Sequence, residues 1–405
     1  MEKNNESLPF ISFIFNHNYY YILLYWILEI IWTLVQKNYS DYFILFKETS
    51  MNELSDVICK VLADLLAGFL VLYTRCAMKF TKKKIKKKHS KNEIELIYNN
   101  VEEEKNNNSV CLIILISILH FTAVSVYFLF HLFIGTQEND NSTILENHQM
   151  DWIIGLDFLL RHIFARKILK TSLYEHNKLS LFICSFGFFF MTVSDGFSIW
   201  TGNKNIKVLF FIMFILPKVI LFSLADVLNK KILTDDFFLP QRLMFYRGCI
   251  EFLALLIIIP ILYFTSKLNL DIIQTDLSIK IIIKSLYIIV SFLKAFFLLK
   301  VIYIFTAQYV SFVVVAECFG ATLSYSYQLI KTDMYDKTYI DLIQWFVDIL
   351  SLIVILFGTL LYNEMIIINR YGLNENTRNG LLMTETREMN SLAKNDLEKS
   401  LSTDL

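Results

Sequence analysis

Acidic and basic side chains recur inside stretches of this chain that are otherwise almost pure hydrocarbon, and these are the residues that could do chemistry. Asp56, Lys60 and Asp64 follow i, i+4, i+8 spacing, which puts all three on one face of a helix. Asp157 and Arg161 repeat the i, i+4 step, as do Arg247 and Glu251. Single charges stand at Glu29, Lys218, Asp226, Lys294, Glu317 and Asp348. An ionised group inside a bilayer is costly unless it is paired or lines water, so each is a candidate for handling a solute. The plainer account is structural: an acid and a base one turn apart satisfy each other with no ligand, and for the spaced pairs both accounts stay open. Asp56 and Asp226 fall near the ends of their apolar stretches, where snorkelling to the membrane edge is expected. Glu29, Lys218 and Glu317 have no partner on their own helix and need another helix, a carbonyl or a solute. The candidate substrate-binding residues are therefore Glu29, Asp64, Asp157, Arg161, Lys218, Arg247, Glu251 and Glu317.

Lys218 follows Pro217 in mid-stretch, where proline removes a backbone donor and kinks a helix. A lysine at a helix break is a plausible holder of an anionic group; an ordinary kink with a lysine paired to a neighbouring acid is the structural alternative. His120 and His131 are eleven residues apart, nearly on one helical face, a pattern that suits a proton relay or two structural histidines.

A membrane-crossing helix needs roughly 20 apolar residues, and ten segments qualify as the elements that must position these charges. They are Tyr19–Gln36, Asp56–Lys79, Val110–Gly135, Met150–Lys167, Leu179–Trp200, Ile206–Asn229, Leu243–Phe264, Ile279–Leu299, Tyr303–Gln328 and Asp341–Tyr362. Around Lys300 the pattern also admits one long helix, and Leu8–Phe15 is too short to span. The expected class is all-α: a polytopic membrane protein of ten transmembrane helices in two five-helix halves. Its parts would be a cytoplasmic segment 1–18, a first half 19–200 holding a basic loop 79–109, a second half 201–363 and a polar tail 364–405.

The basic loop sets the topology. Thr81–Lys91, TKKKIKKKHSK, carries seven lysines, and moving such a cluster across a bilayer is costly, so it stays in the cytoplasm. The next loop, Gly135–Gln149, has no Lys or Arg and three acids, as the far side of a membrane should. The alternation places both termini in the cytoplasm, weakened in the second half by Lys267, Lys280, Lys331 and Lys337. The sequons at Asn38 and Asn141 then fall on the far side, and those at Asn5 and Asn107 in the cytoplasm. The membrane is expected to be the endoplasmic reticulum, Golgi or plasma membrane, entered through the first span, with no cleavable leader in MEKNNESLPF.

Composition narrows the class further. The chain has 405 residues, 55% of them hydrophobic, beyond the usual soluble range. Net charge is zero, so nucleic acid is not an expected partner. The six cysteines, Cys59, Cys76, Cys111, Cys184, Cys249 and Cys318, lie in or at the ends of apolar spans with no CxxC, and read as small buried residues. No Walker A loop, HxxxxD, DxD or HExxH pattern occurs, so no catalytic residue, metal or cofactor is assigned and an enzyme is not expected.

Three separated stretches carry a family resemblance: LYEHNKLS at Leu173–Ser180, ADVLNKKILTDDFFLPQRLMFYRG at Ala225–Gly248, and LYNEMIIINRYGLNENTR at Leu361–Arg378. With the ten-span count they resemble the drug/metabolite transporter superfamily, which includes EamA-type exporters and nucleotide-sugar transporters, in an uncharacterised protist and fungal branch. Where that branch often has a second histidine after His176, this chain has Asn177. The resemblance implies the ten-helix fold and a solute carrier, names no substrate and transfers no functional residue.

The expected function is secondary transport of a small polar metabolite by alternating access, with an anion such as a nucleotide sugar among the candidates. A membrane receptor or scaffold, or a membrane-embedded transferase, are the alternatives. The expected partners are the lipid bilayer and a small solute, with a homodimer left open.

Overall fold

The computed structural model describes residues 20–38, 40–86, 107–134, 151–171, 174–201, 207–235, 238–264, 271–304, 310–331, 339–362 and 366–368. Outside them lie the segment 1–18, most of the basic loop, the loop bearing Asn141 and nearly all of the tail. The described residues are all-helical and contain no strand, only an isolated antiparallel bridge between Phe46 and Ile272. In chain order the helices are α1 Tyr20–Asn38, α2 Thr49–Lys86, α3 Asn107–Ile134, α4 Asp151–Ile168 and α5 Glu175–Thr201. They continue with α6 Lys207–Asp235, α7 Pro240–Phe264, α8 Leu277–Ile304, α9 Val310–Lys331 and α10 Tyr339–Tyr362. Near Lys300, α8 is described to Ile304 and α9 from Val310.

Among the described residues, five helices are long and apolar enough to cross a membrane: α2 over Thr49–Cys76, α3 over Ser109–Leu132, α7, α8, and α10 over Leu342–Tyr362. This makes the chain a multi-pass integral membrane protein. Their outer faces agree, because Leu253, Leu256, Ile257 and Ile261 on α7 and Ile281, Ile282 and Ile289 on α8 are all exposed. Such apolar patches are unfavourable in water and cost nothing against lipid. By contrast α4 has only 18 residues and carries Asp151, Asp157, Arg161, Arg166 and Lys167. It is too charged to qualify on composition, and only pairing of its inner charges would make it compatible with hydrocarbon.

Two helices depart from simple expectation. At 38 residues α2 is about 57 Å long, nearly twice the hydrocarbon thickness, and it runs on into the lysines as far as Lys86. Lysine is a good helix former and water does not penalise further turns, so nothing stops the helix at Lys79. In α6 the helix continues without interruption through Pro217. A proline removes one ladder bond, and neighbouring helices and local adjustment can re-satisfy the freed carbonyl in a membrane; no break forms at Lys218.

The helices pack α5 with α10, α3 with α6, α2 with α7, α1 with α9, α4 with α6, and α8 with both α2 and α1. Small residues set the closest approaches. A methyl group on Gly248 of α7 would stand 2.9 Å from Leu65 N on α2, a backbone atom with no freedom to retreat. At the α5–α10 seam, a methyl group on Gly358 would meet the Cys184 sulfur at 2.5 Å, while Ser180 donates a hydrogen bond to the Gly358 carbonyl. Lipid supplies no hydrophobic drive between helices, so close van der Waals packing of this kind holds them together.

Candidate functional site: two buried arginine clusters

The Gly248 crossing sets α7 directly against Asp64 of α2, close enough for the adjacent Arg247 to reach it. Arg247 donates from Nε to Asp64 Oδ2 at 2.6 Å. Its own-helix neighbour Glu251 lies farther, 3.9 Å from the same nitrogen. Glu251 instead meets His120 of α3, with Nδ1 to Oε1 at 2.7 Å. Asp64, Arg247 and Glu251 are buried and His120 is mostly so, which places a four-residue charged network at the junction of three apolar helices. Charge-assisted bonds of this length in a low dielectric are among the strongest a protein makes.

A second arginine organises the α4–α6 seam. Arg161 Nη2 contacts Asp157 Oδ2 at 2.7 Å, the i, i+4 partner, and Asp226 Oδ2 of α6 at 2.9 Å. Ser223, one turn before Asp226 on the same helix, donates to Asp157 Oδ1.

Two further acid–base pairs join helices. Glu29 of α1 meets Lys294 of α8 at 2.6 Å, and Asp56 of α2 binds Lys284 of α8. Lys218 Nζ stands 3.7 Å above the ring of Tyr127 on α3, a cation–π contact. The side chain of Glu317 lies outside the described residues. Of the sequence candidates, Asp64, Arg247 and Glu251 are thus brought together, as are Asp157 and Arg161, while Glu29 and Lys218 sit at separate seams. His131 is buried on α3 and does not share the His120 network.

Asp226 is the clearest miss of sequence reasoning. It is expected to snorkel at a membrane edge, yet it is only 6% exposed and completes the Arg161 cluster. Lys284 is a second, hidden because it lies near an expected helix end with no acid on its own helix. His120 is offered by the sequence for a proton relay or a structural role, but its partner Glu251 emerges only from the packing of α3 on α7. Ser223 carried no signal at all.

Chemically, each arginine faces two carboxylates. A guanidinium is planar and always charged, and it binds carboxylate or phosphate in a forked geometry. The carboxylates tune and position it, and any one could yield its place to an anionic group from outside. One oxygen or nitrogen each from Asp64, His120 and Glu251 lie within 4.8 Å of one another, a donor set that could in principle hold a cation. Arg247 already occupies Asp64 at 2.6 Å, so a resident divalent ion would have to displace a guanidinium. The arrangement fits a buried ion-pair network better than a metal centre.

Comparison with protein-family models finds no match, and no curated protein matches the chain.

Proposed function

We propose that this protein is a secondary transporter that carries a small polar metabolite across its membrane by alternating access, on the ten-span plan of the drug/metabolite transporters. The observation that carries the reading is the pair of buried arginine clusters, each built where membrane-length or neighbouring helices cross. Buried charge of this density is expensive in lipid, and in membrane proteins it marks solute and ion routes.

The helix packing supports two related halves. Adding five to each helix number in the first half turns α3–α6 into α8–α1, α4–α6 into α9–α1, α2–α3 into α7–α8, and α4–α5 into α9–α10, all packed pairs. The pairs α2–α7, α5–α10 and α4–α9 map onto themselves and α2–α8 maps onto α3–α7, while α6–α8 and α8–α9 have no counterpart of similar extent among the described residues. Two halves of five spans each would run in opposite directions through the membrane, the arrangement that lets one half rock against the other around a central site. Both arginine clusters lie on seams between the halves, α2–α7 and α4–α6, where such rocking would change their partners.

The substrate class that suits an exchangeable guanidinium is an anion, with nucleotide sugars and organic acids the first to test. Binding would substitute a substrate carboxylate or phosphate for Asp64 or Asp226, and rocking would restore the internal pair on release. The test is counterflow in proteoliposomes loaded with nucleotide sugars, amino acids or organic anions. The expected result is saturable exchange of one anionic class, abolished by Arg247→Ala and reduced by Lys218→Ala at equal membrane level. Exchange of a cationic or neutral solute with full activity in both variants would overturn the anion assignment. A reporter fusion that places the C-terminus across the membrane from the N-terminus would remove the ten-span plan.

A further inference from the structure

Near the cytoplasmic end of the α2–α7 seam, an outward-facing groove of about 420 Å³ lies between the two helices. Gly68 and Leu72 of α2 and Phe245 and Tyr246 of α7 form its walls, and Arg75 and Arg242 line it as well. The volume is within the range of sites that take small molecules or ligand chains. Leu72 and the adjacent Phe69 are largely exposed, so the groove opens sideways towards lipid and not towards the buried clusters.

The two arginines give the groove its chemistry. Among the described residues no carboxylate forms an ion pair with either, although every inner cation at the two clusters is paired. Arg242 Nε is buried and has no hydrogen-bond partner there. A buried guanidinium N–H left without an acceptor costs free energy that an anionic ligand would recover.

Depth follows from the chain itself. Arg75 lies one turn, about 6 Å, before Lys79, and Arg242 lies in the first turn of α7. With the lysine run held in the cytoplasm, both arginines sit at the headgroup level of the cytoplasmic leaflet, and the apolar walls run from there towards the hydrocarbon. Basic pockets between helices on that side suit anionic headgroups, and the leaflet is itself anionic.

We infer that the α2–α7 groove is a binding site for one anionic glycerophospholipid of the cytoplasmic leaflet, its phosphate held between Arg75 and Arg242 and an acyl chain lying against Gly68, Leu72 and Phe245. The site stands apart from the transport reading: it uses none of the residues of the arginine clusters and would hold whether or not the chain moves a solute. It does lie on the same seam as the Arg247–Asp64 pair, so its occupant would touch both helices that the pair joins.

The test is native mass spectrometry of the full chain released from nanodiscs of phosphatidylcholine doped with phosphatidylserine or with phosphatidylinositol phosphate. One retained anionic lipid is expected, preferred over phosphatidylcholine by about thirtyfold, the effect of two basic side chains at a membrane surface. Arg75→Gln and Arg242→Gln should each lower that preference about fivefold. Leu72→Trp, at a lipid-exposed position that leaves the core untouched, should displace the diacyl lipid while leaving glycerol 3-phosphate binding unchanged. Equal retention of phosphatidylcholine, or an unchanged preference in the double arginine variant, would overturn the inference. Glycerol 3-phosphate competing as well as the intact lipid would assign the arginines to a soluble phosphate and overturn it too.

Discussion

The two arginine clusters begin from the same local sequence logic and end differently. Arg161 keeps its i, i+4 acid, Asp157, at 2.7 Å and recruits Asp226 from α6 across the seam. Arg247 has an i, i+4 acid as well, but Glu251 stands off at 3.9 Å and turns to His120, while the arginine takes Asp64 from α2 at 2.6 Å. In the first cluster the helix supplies the primary bond and the neighbour completes it. In the second, tertiary packing overrides the helix. The deciding feature is Gly248: with no side chain between them, α2 and α7 approach until Asp64 is nearer to the guanidinium than its own turn can bring Glu251. Spacing along a helix proposes a pair, and the closeness of the next helix disposes of it.

Removing an arginine breaks this comparison most severely. Arg247→Ala strands Asp64 without its bonded cation and should cost about 3–5 kcal/mol, read as a large fall in thermal unfolding temperature in detergent. Arg161→Ala should sit at the lower end of that range, because Ser223 still donates to Asp157. Removing both partners in Arg247→Ala/Asp64→Ala should regain stability over the single variant without regaining transport; an equally unstable double variant would mean that the pair is not the controlling contact.

Next in size is Gly248→Ala. The added methyl meets backbone atoms of α2, so the helices must part, at about 1–3 kcal/mol for an overpacked contact. The sharper outcome is coupled: the Arg247–Asp64 bond should lengthen, and the variant should lose less on a further Asp64→Asn change than the parent does. A double-mutant cycle that adds up exactly as two independent sites would argue against glycine as the deciding feature.

Glu251→Gln should be milder, about 1 kcal/mol or less. Arg247 retains Asp64, and the amide oxygen can still accept from His120 when its Nδ1 carries the proton. Stability should thus change little, whereas the proposed exchange should lose any dependence on pH that the Glu251–His120 pair confers. A stability loss as large as that of Arg247→Ala would show Glu251, and not Asp64, to be the essential acid.

The smallest effect marks the contrast with the surface. Lys178 and Glu175 form an i, i+3 pair with both side chains more than half exposed. Lys178→Ala should cost no more than about 0.5 kcal/mol and leave exchange intact, because water already solvates both charges.

Much of the fold was legible before any coordinates. The apolar runs mark helices because a backbone in lipid must bond to itself, and their ends fall within a few residues of the helices seen at α7 and α10. The charged residues at Asp64, Asp157, Arg161, Arg247 and Glu251 stood out because so few of their neighbours are polar. Lys284 did not, and the partners of Asp226 and His120 were equally hidden, because they depend on which helix lies opposite and no periodicity along one helix records that.

The sequence by itself determined that this chain is a helical membrane protein with ionised groups buried in its apolar segments, since hydropathy and charge are properties of each residue and its near neighbours. Only the tertiary structure decided which acid holds which arginine, that Pro217 leaves α6 unbroken, and that two arginines border a groove open to lipid. Ion pairing falls off with distance and with access to water, and both quantities are set by how helices remote in the chain come to lie side by side.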